Sequence, residues 1–356
     1  LEHRLLQEGD AYIEQFARVL PLNLISIKQW AQLPNELGVD LEVSMNGGFM
    51  VAESEDDVGL LERKYAIEKE WKLPTRLLTG KEARSHAPYL SDKVCAAGYC
   101  PKEGHANPRL VTLAFAKAAV KLGSSIVQNY RVTNLHATAG SWEVQTAQTG
   151  CTDNRRVRTF MGHVLLNAAG AWAGYLSKLA GLDHKILLIP LLMNVTDHAQ
   201  PIIPHLIQHV SRQLSLKQVR DGNVIIGGGW ASHLDNWDPG AAEQARPTVI
   251  PRNVESNIRV ALSIVPCLKE RHLIRCWTGL ASLAADQLPF LGKSRHADNY
   301  FMATSGSAFT LGPTYARLIA EYILLGVPSM DISLYDPDRC TDANSNSRTD
   351  QTHAHC

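Results

Sequence analysis

Four apolar residues, Tyr300–Ala303, run into the small-residue turn Thr304-Ser-Gly-Ser-Ala308, and an amphipathic helix pattern begins at once. Leu311, Tyr315, Leu318, Ile319, Tyr322 and Ile323 recur there at helical spacing. A strand that ends in small residues and feeds a helix is the building unit of layered α/β proteins, and it constrains this chain more than any other segment. Such a turn also leaves backbone N–H groups uncovered at the helix start, where the helix dipole favours an electron-rich ligand group. A tight connection with nothing bound reads equally well from the turn alone.

The same alternation recurs upstream. Residues 11–37 carry a helical pattern with a break expected near Pro21. Gly48–Ala52 and Ala96–Cys100 read as strands, and Glu55–Trp71 and Lys81–His86 as helices. Asn107-Pro108 opens a helix over Arg109–Leu122, with proline at a tolerated first-turn position. Ser125–Val127, Arg131–His136 and Trp142–Gln148 suggest three strands. Val164–Trp172 is an apolar strand ending in a second small-residue turn, followed by a helix over Ala173–Ala180. Lys185–Val195, Ser215–Arg220, Asn223–Ile226 and Ile274–Leu280 add strands, and Val254–Val265 a helix. Strands and helices are interleaved while hairpin-like runs occupy the middle. The expected fold is therefore α/β with an α+β, mixed-sheet component. At 356 residues, two domains or one intertwined unit are expected.

Lys+Arg and Asp+Glu balance at 35 each, which argues against nucleic acid or an anionic membrane as the main partner. The most apolar stretch, Ile186–Val195, is too short to span a bilayer and is broken by Pro190, so no membrane association is expected. The seven cysteines are scattered, and the Cys95–Cys100 spacing fits neither a redox nor a zinc motif; a reduced, cytoplasmic setting is the simplest expectation. The polar run over residues 340–356 has no core-forming residues and is expected to be disordered.

A dinucleotide fingerprint, Gly-x-Gly-x-x-Gly between a strand and a helix, is absent. The nearest candidate, Gly227-Gly-Gly-Trp-Ala-Ser232, ends in serine and leads into no helix, which favours a glycine turn. His205 and His209 stand four apart but lack an adjacent glutamate or a third ligand, so no metal site is expected. Ser305 and Ser307 lack the frame of a nucleophile elbow. Asp286, ahead of Pro289, is a turn signal as much as a carboxylate for catalysis. His105, in Gly104-His-Ala-Asn-Pro108, is the single candidate acid or base, set against a packing or capping role.

In order along the chain, these segments resemble the FAD-dependent oxidoreductases of the D-amino-acid oxidase superfamily. Within it, the likeness is to glycine oxidase, sarcosine oxidase β-subunits and opine dehydrogenase-like enzymes. The resemblance is carried by Leu22-Asn-Leu-Ile-Ser-Ile-Lys-Gln-Trp30, Glu36-Leu-Gly-Val-Asp40, Gly104-His-Ala-Asn-Pro108, Asn167-Ala-Ala-Gly-Ala-Trp172, Trp277-Thr-Gly-Leu280, Asp286-Gln-Leu-Pro-Phe-Leu-Gly292 and Thr304–Pro313. It implies FAD as cofactor, with Ala168, Ala169, Gly170 and Trp172 against its ADP half. Gly306, Ser307, Ala308, Phe309 and Thr310 would meet the pyrimidine edge and ribityl chain. It further implies an FAD-binding, Rossmann-like domain from residues 1–40, 106–184 and 276–339, interleaved with a mixed-sheet substrate domain from 41–105 and 185–275. An amine or amino-acid substrate and a homo- or hetero-oligomeric assembly follow from the same likeness.

The chain departs from that family in three places. The strand, GxGxxG turn and helix that hold the FAD pyrophosphate are not in it, so a segment ahead of this chain is expected to carry them. Ala281 stands where glycine oxidase-like members carry an arginine that pairs with a substrate carboxylate, and the bidentate clamp is lost there. Ser307-Ala308 replaces a common His-Gly. The activity implied is oxidation of a C–N bond by hydride transfer to flavin. The alternative is a truncated, non-catalytic remnant, or one component of an assembly, that does not hold FAD alone.

Overall fold

The computed structural model describes residues 10–149, 157–234 and 246–340. Nearly all of the tail expected to be disordered lies outside them. The chain divides into two compact units. The first takes residues up to Gly123, Pro190–Asp235 and Arg246–Leu280; the second takes Ser124–Ile189 and the residues from Ala281 onward. By packing, then, the helices Asp10–Leu37 and Pro108–Lys121 group with the large sheet, whereas the sequence assigns 1–40 and 106–184 to the cofactor half.

The first unit is built on an eight-stranded mixed sheet. Its strands are β1 (Gly48–Ala52), β2 (Arg76–Thr79), β3 (Ala96–Cys100), β8 (Leu187–His198), β9 (Leu206–His209), β10 (Ser215–Gln218), β11 (Asn223–Gly227) and β12 (Leu273–Leu283). Their spatial order is β12-β8-β11-β10-β9-β1-β3-β2. β1 runs parallel to β9 and antiparallel to β3, with Val51 opposite Ala97. Phe49, Val51, Ile207, Leu216 and Ile226 from the sheet, with Leu214 just ahead of β10, pack with Val260, Ala261 and Ile264 of the helix Pro251–Ile264 in one buried core. That helix is amphipathic, which is why it closes the sheet.

Helix Asp10–Leu37 passes through Pro21 and Pro34 without ending, so the expected break at Pro21 does not occur. Leu20 and Leu22 on either side are buried, as are Trp30 and Leu33 further on. Burial of that face outweighs the lost backbone bond, which by itself costs about 3 kcal/mol.

The second unit holds two small sheets. β4 (Tyr130–Thr138), β5 (Ser141–Gln148) and β6 (Val157–Gly162) form an antiparallel meander. The run Ser125–Val127 expected as a strand lies outside it, and β6 carries no alternating signal because five of its six residues are exposed. The other sheet is β13 (Phe290–Lys293), β14 (Tyr300–Thr304) and β7 (Leu165–Asn167), in that order. β14 is parallel to β7, with Met302 opposite Asn167, and antiparallel to β13. Trp142, Ala173, Phe290, Tyr300 and Met302 form its core, and the Trp142 indole N–H donates to the Asp298 carbonyl at 2.9 Å. Helix Gly312–Leu325 follows β14 and ends on Gly326 in the left-handed region.

Candidate cofactor site

Because β7 and β14 are parallel neighbours, the turns that follow them leave the sheet at the same end. The structure thereby brings together two segments singled out separately in the sequence, Ala168–Trp172 and Thr304–Thr310. The Thr304 hydroxyl donates to the Gly170 carbonyl at 3.4 Å across the gap.

Around the first turn, Ala168 and Trp172 are exposed and Gly170 sits at φ +56° with open space where a side chain would project. Asn167, buried beneath it, donates from Nδ2 to the Ala173 carbonyl at 2.9 Å, and its Oδ1 accepts the Ala169 N–H at 3.3 Å. In the second turn, Ser305 (φ +72°) and Gly306 (φ +60°) reverse the chain, and Ser307, Ala308, Phe309 and Thr310 are exposed. Ser307 and Phe309 accept bonds from Leu311 and Gly312, whereas among the described residues the amides of Gly306, Ser307 and Ala308 donate to no backbone oxygen. Phe309 and Trp172 stay 44% and 40% exposed, more than apolar rings of that size reach when they serve only as core.

The second turn rests on a loop the sequence marked only by Asp286 and Pro289. The Ser305 hydroxyl donates to the Ser282 carbonyl at 3.1 Å, and Gly306 lies against Gln287 and Pro289. Gln287 has φ +60°, and its Oε1 is buried with no hydrogen-bond partner among the described residues. Arg339 locks this loop: it binds Asp286 through two nitrogens at 2.7 and 2.9 Å, reaches the carbonyls of Leu288, Tyr335 and Asp336, and stacks 4.6 Å over Phe290. Asp286 is thus a structural anchor. Gln287 and Arg339 went unrecognised in the sequence. Gln287 lies within Asp286–Gly292 with no signal of its own, and Arg339 lies in the short 3-10 turn Pro337–Cys340 with no local pattern.

A flavin suits this arrangement. Its pyrimidine edge presents carbonyl oxygens and one N–H, the complement of uncovered amide donors and an unpartnered amide oxygen. No Gly-x-Gly-x-x-Gly for a pyrophosphate occurs among the 356 residues.

The remaining candidates belong to the first unit. His105 is half-buried, and its backbone forms a two-bond bridge with Ser44 at 2.8 and 2.9 Å. Burial, and secondarily the Lys217 ammonium, push its pKa down to about 4. His205 and His209 belong to strand β9 and its approach, with no helix there. His205 bonds the Tyr89 hydroxyl at 2.7 Å; the His209 Nδ1 accepts the amides of Ser211 and Arg212, and its Nε2 faces Glu53 at 3.4 Å. Gly227–Gly229 ends β11, and the Trp230 carbonyl accepts the Leu192 N–H, so this turn belongs to the sheet.

The family model described as DAO, FAD dependent oxidoreductase, matches residues 2–322. Human mitochondrial dimethylglycine dehydrogenase is 27% identical over 335 residues, which covers 88% of this chain and 37% of that protein. The chain therefore spans little more than a third of that relative's length. The β-subunit of sarcosine oxidase from Arthrobacter sp is 27% identical over 82% of this chain and 72% of its own length. One of the opine oxidase subunits of Rhizobium meliloti is 24% identical over 88% and 80%. Among solved structures, glycine oxidase from Geobacillus kaustophilus superposes with a TM-score of 0.78 at 21% identity, covering 90% of this chain and 83% of that one, a likeness of fold. With its match running from residue 2 to residue 322, this chain belongs to the DAO family of FAD dependent oxidoreductases.

Proposed function

We propose that this chain oxidises the C–N bond of an amino acid or secondary amine, most readily an N-substituted amino acid, with FAD as acceptor. One observation carries the proposal: the turns Ala168–Trp172 and Thr304–Thr310 converge at one end of the β7–β14 pair and are open to solvent. The relatives named for dimethylglycine, sarcosine and opines share a substituted amine bearing a carboxylate, which supports the substrate class.

Bound FAD would accept the hydride that leaves the carbon next to nitrogen. The chain's own part is to hold and polarise. The amides of Gly306, Ser307 and Ala308 would donate to the pyrimidine edge, where negative charge collects on reduction. Ala168, Ala169, Gly170 and Trp172 would meet the ADP half, and Phe309 and Thr310 the ribityl chain. No side chain need remove a proton, because the departing hydride takes the bonding pair and the amine nitrogen supplies its lone pair. In this proposal residues 1–40, 106–184 and 276–339 serve the cofactor, and 41–105 and 185–275 the substrate. Two relatives are named as subunits, which supports assembly with a further chain.

A second reading, a component of an assembly that does not hold FAD alone, is favoured by the missing glycine fingerprint. A visible spectrum of the purified chain with added FAD separates the two. A bound flavin band that bleaches anaerobically with dimethylglycine or sarcosine supports the first reading. A spectrum showing only free flavin supports the second.

A further inference from the structure

Beneath the first turn lies a buried polar chain that no part of the proposed chemistry uses. Asp338, His184, Ser177, Tyr300 and Asn167 are all at most 3% exposed. They connect as a chain: His184 Nε2 to Asp338 Oδ1 at 2.9 Å, His184 Nδ1 to Ser177 Oγ at 2.9 Å, Ser177 Oγ to the Tyr300 hydroxyl at 3.1 Å, and the Tyr300 hydroxyl to Asn167 Nδ2 at 2.8 Å, with a longer direct contact of 3.4 Å from Asn167 Nδ2 to Ser177 Oγ. The order resembles a hydrolytic triad, but the serine is fully buried and committed to Tyr300, so no substrate carbonyl can reach it.

With His184 as the neutral imidazole, donor and acceptor capacity gives each link a direction. A carboxylate only accepts, so His184 Nε2 carries a proton toward Asp338. The Ser294 hydroxyl and the Arg295 N–H also donate to that carboxylate. Burial pushes the Asp338 carboxyl up, and the bonds from His184 and Arg295 outweigh it and hold the group ionised. In the neutral imidazole Nδ1 then accepts, so Ser177 donates to it. Ser177 has only one proton, so Tyr300 donates to Ser177. Tyr300 in turn accepts from Asn167 Nδ2, whose other proton goes to the Ala173 carbonyl. That leaves Asn167 Oδ1 turned toward the Ala169 N–H. The Ala173 carbonyl and the Ala169 N–H require that same amide orientation, and the relay from the histidine adds a further bond that holds it.

We infer that His184, held as its Nε2–H tautomer by Asp338, is a positioning residue that steadies Asn167 and with it the Ala168–Trp172 turn. The bearing of this relay on FAD rests on the function proposed above; its hold on the turn does not.

Three variants test it. Tyr300→Phe removes one hydroxyl and keeps the ring. His184→Asn can place an amide oxygen as acceptor near the Nδ1 position, and His184→Gln can place an amide N–H as donor near the Nε2 position. Hydrogen exchange is read at Ala169–Trp172 in the chain without FAD, and FAD affinity is read in parallel by quenching of flavin fluorescence. Exchange of the Ala169 amide is expected to rise about tenfold in Tyr300→Phe and His184→Gln, and to stay close to wild type in His184→Asn. A purely structural role for the His184–Asp338 pair predicts the reverse order, with His184→Asn the worse variant, and that order overturns the inference. An unchanged turn in Tyr300→Phe, or a loss of protection spread evenly over the whole unit, overturns it as well. If the turn responds as expected while the wild-type chain binds no FAD, the relay stands and the cofactor proposal falls. If FAD binds with equal affinity in all variants and the turn does not respond, the relay falls and the cofactor proposal stands.

Discussion

Gly104 and His105 stand side by side in one motif and do different work. Gly104 sits where a Cβ would strike the Ser44 carbonyl oxygen and the Met45 backbone, because the bridge between Ser44 and His105 draws the two segments together. Backbone cannot yield as a flexible side chain can, so Gly104→Ala should lower unfolding free energy by about 2–4 kcal/mol, read as a drop in urea midpoint. His105 shows how far a residue type can mislead. Loop histidines titrate near neutrality, and this one is the sequence's only acid–base candidate. Burial and Lys217 instead bring it to about 4, a poor match to proton removal at pH 7. The linkage sign follows. Between pH 6.5 and 4 the unfolded chain binds this proton and the folded chain does not, so stability falls as pH falls through that window and the loss saturates below it. His105→Gln should therefore lose less stability than wild type between pH 7 and pH 4.5. An imidazole titrating near 6.5 by NMR in the folded protein would refute this account.

The elements divide by whether their signal is local. The strand Tyr300–Thr304, its turn and the following helix were legible because apolar period, small residues and helix pattern coincide within one short stretch. β7 was legible for the same reason. β6 was not, since its exposed residues carry no alternation, and β13 was hidden behind a proline turn in four residues. What no local pattern could supply is the support under the second turn. Arg339 reaches back 53 residues to Asp286 and holds the loop on which Ser305 and Gly306 rest. Arg339→Lys keeps the charge but neither the two-point carboxylate bond nor the stacking on Phe290. It should cost roughly 2 kcal/mol of stability and weaken FAD binding in parallel. Gly306→Ala is a narrower probe. Its nearest side-chain neighbour, the Tyr315 hydroxyl, would stand 3.4 Å from the new Cβ, so space exists and the strain lies in the backbone at φ +60°. The expected cost is about 1 kcal/mol. A chain whose FAD affinity survives both substitutions does not use this turn for the cofactor.

For the whole molecule, the family was legible in the order of the motifs, whereas the joint placement of the candidate site's two turns was not. Ala168–Trp172 and Gly306–Thr310 lie more than a hundred residues apart, and only the parallel pairing of β7 with β14 makes them neighbours. Sequence likeness could name both; the reason they meet is topological. This joint placement makes one prediction that a loose, unspecific flavin association would not meet. FAD at a hundredfold excess over its dissociation constant should raise unfolding free energy by about 2.7 kcal/mol if it binds only the folded chain. Hydrogen-exchange protection should then rise at both turns together and in the same proportion, because both would contact one molecule. The meander β4–β6 has no contact residue proposed for it and should not respond. Protection at the Ala168–Trp172 turn alone would point to an ADP-like ligand that leaves the flavin ring unbound. Added ADP should then reproduce the full effect of FAD, and the assignment of Gly306–Thr310 to the ring edge would be wrong.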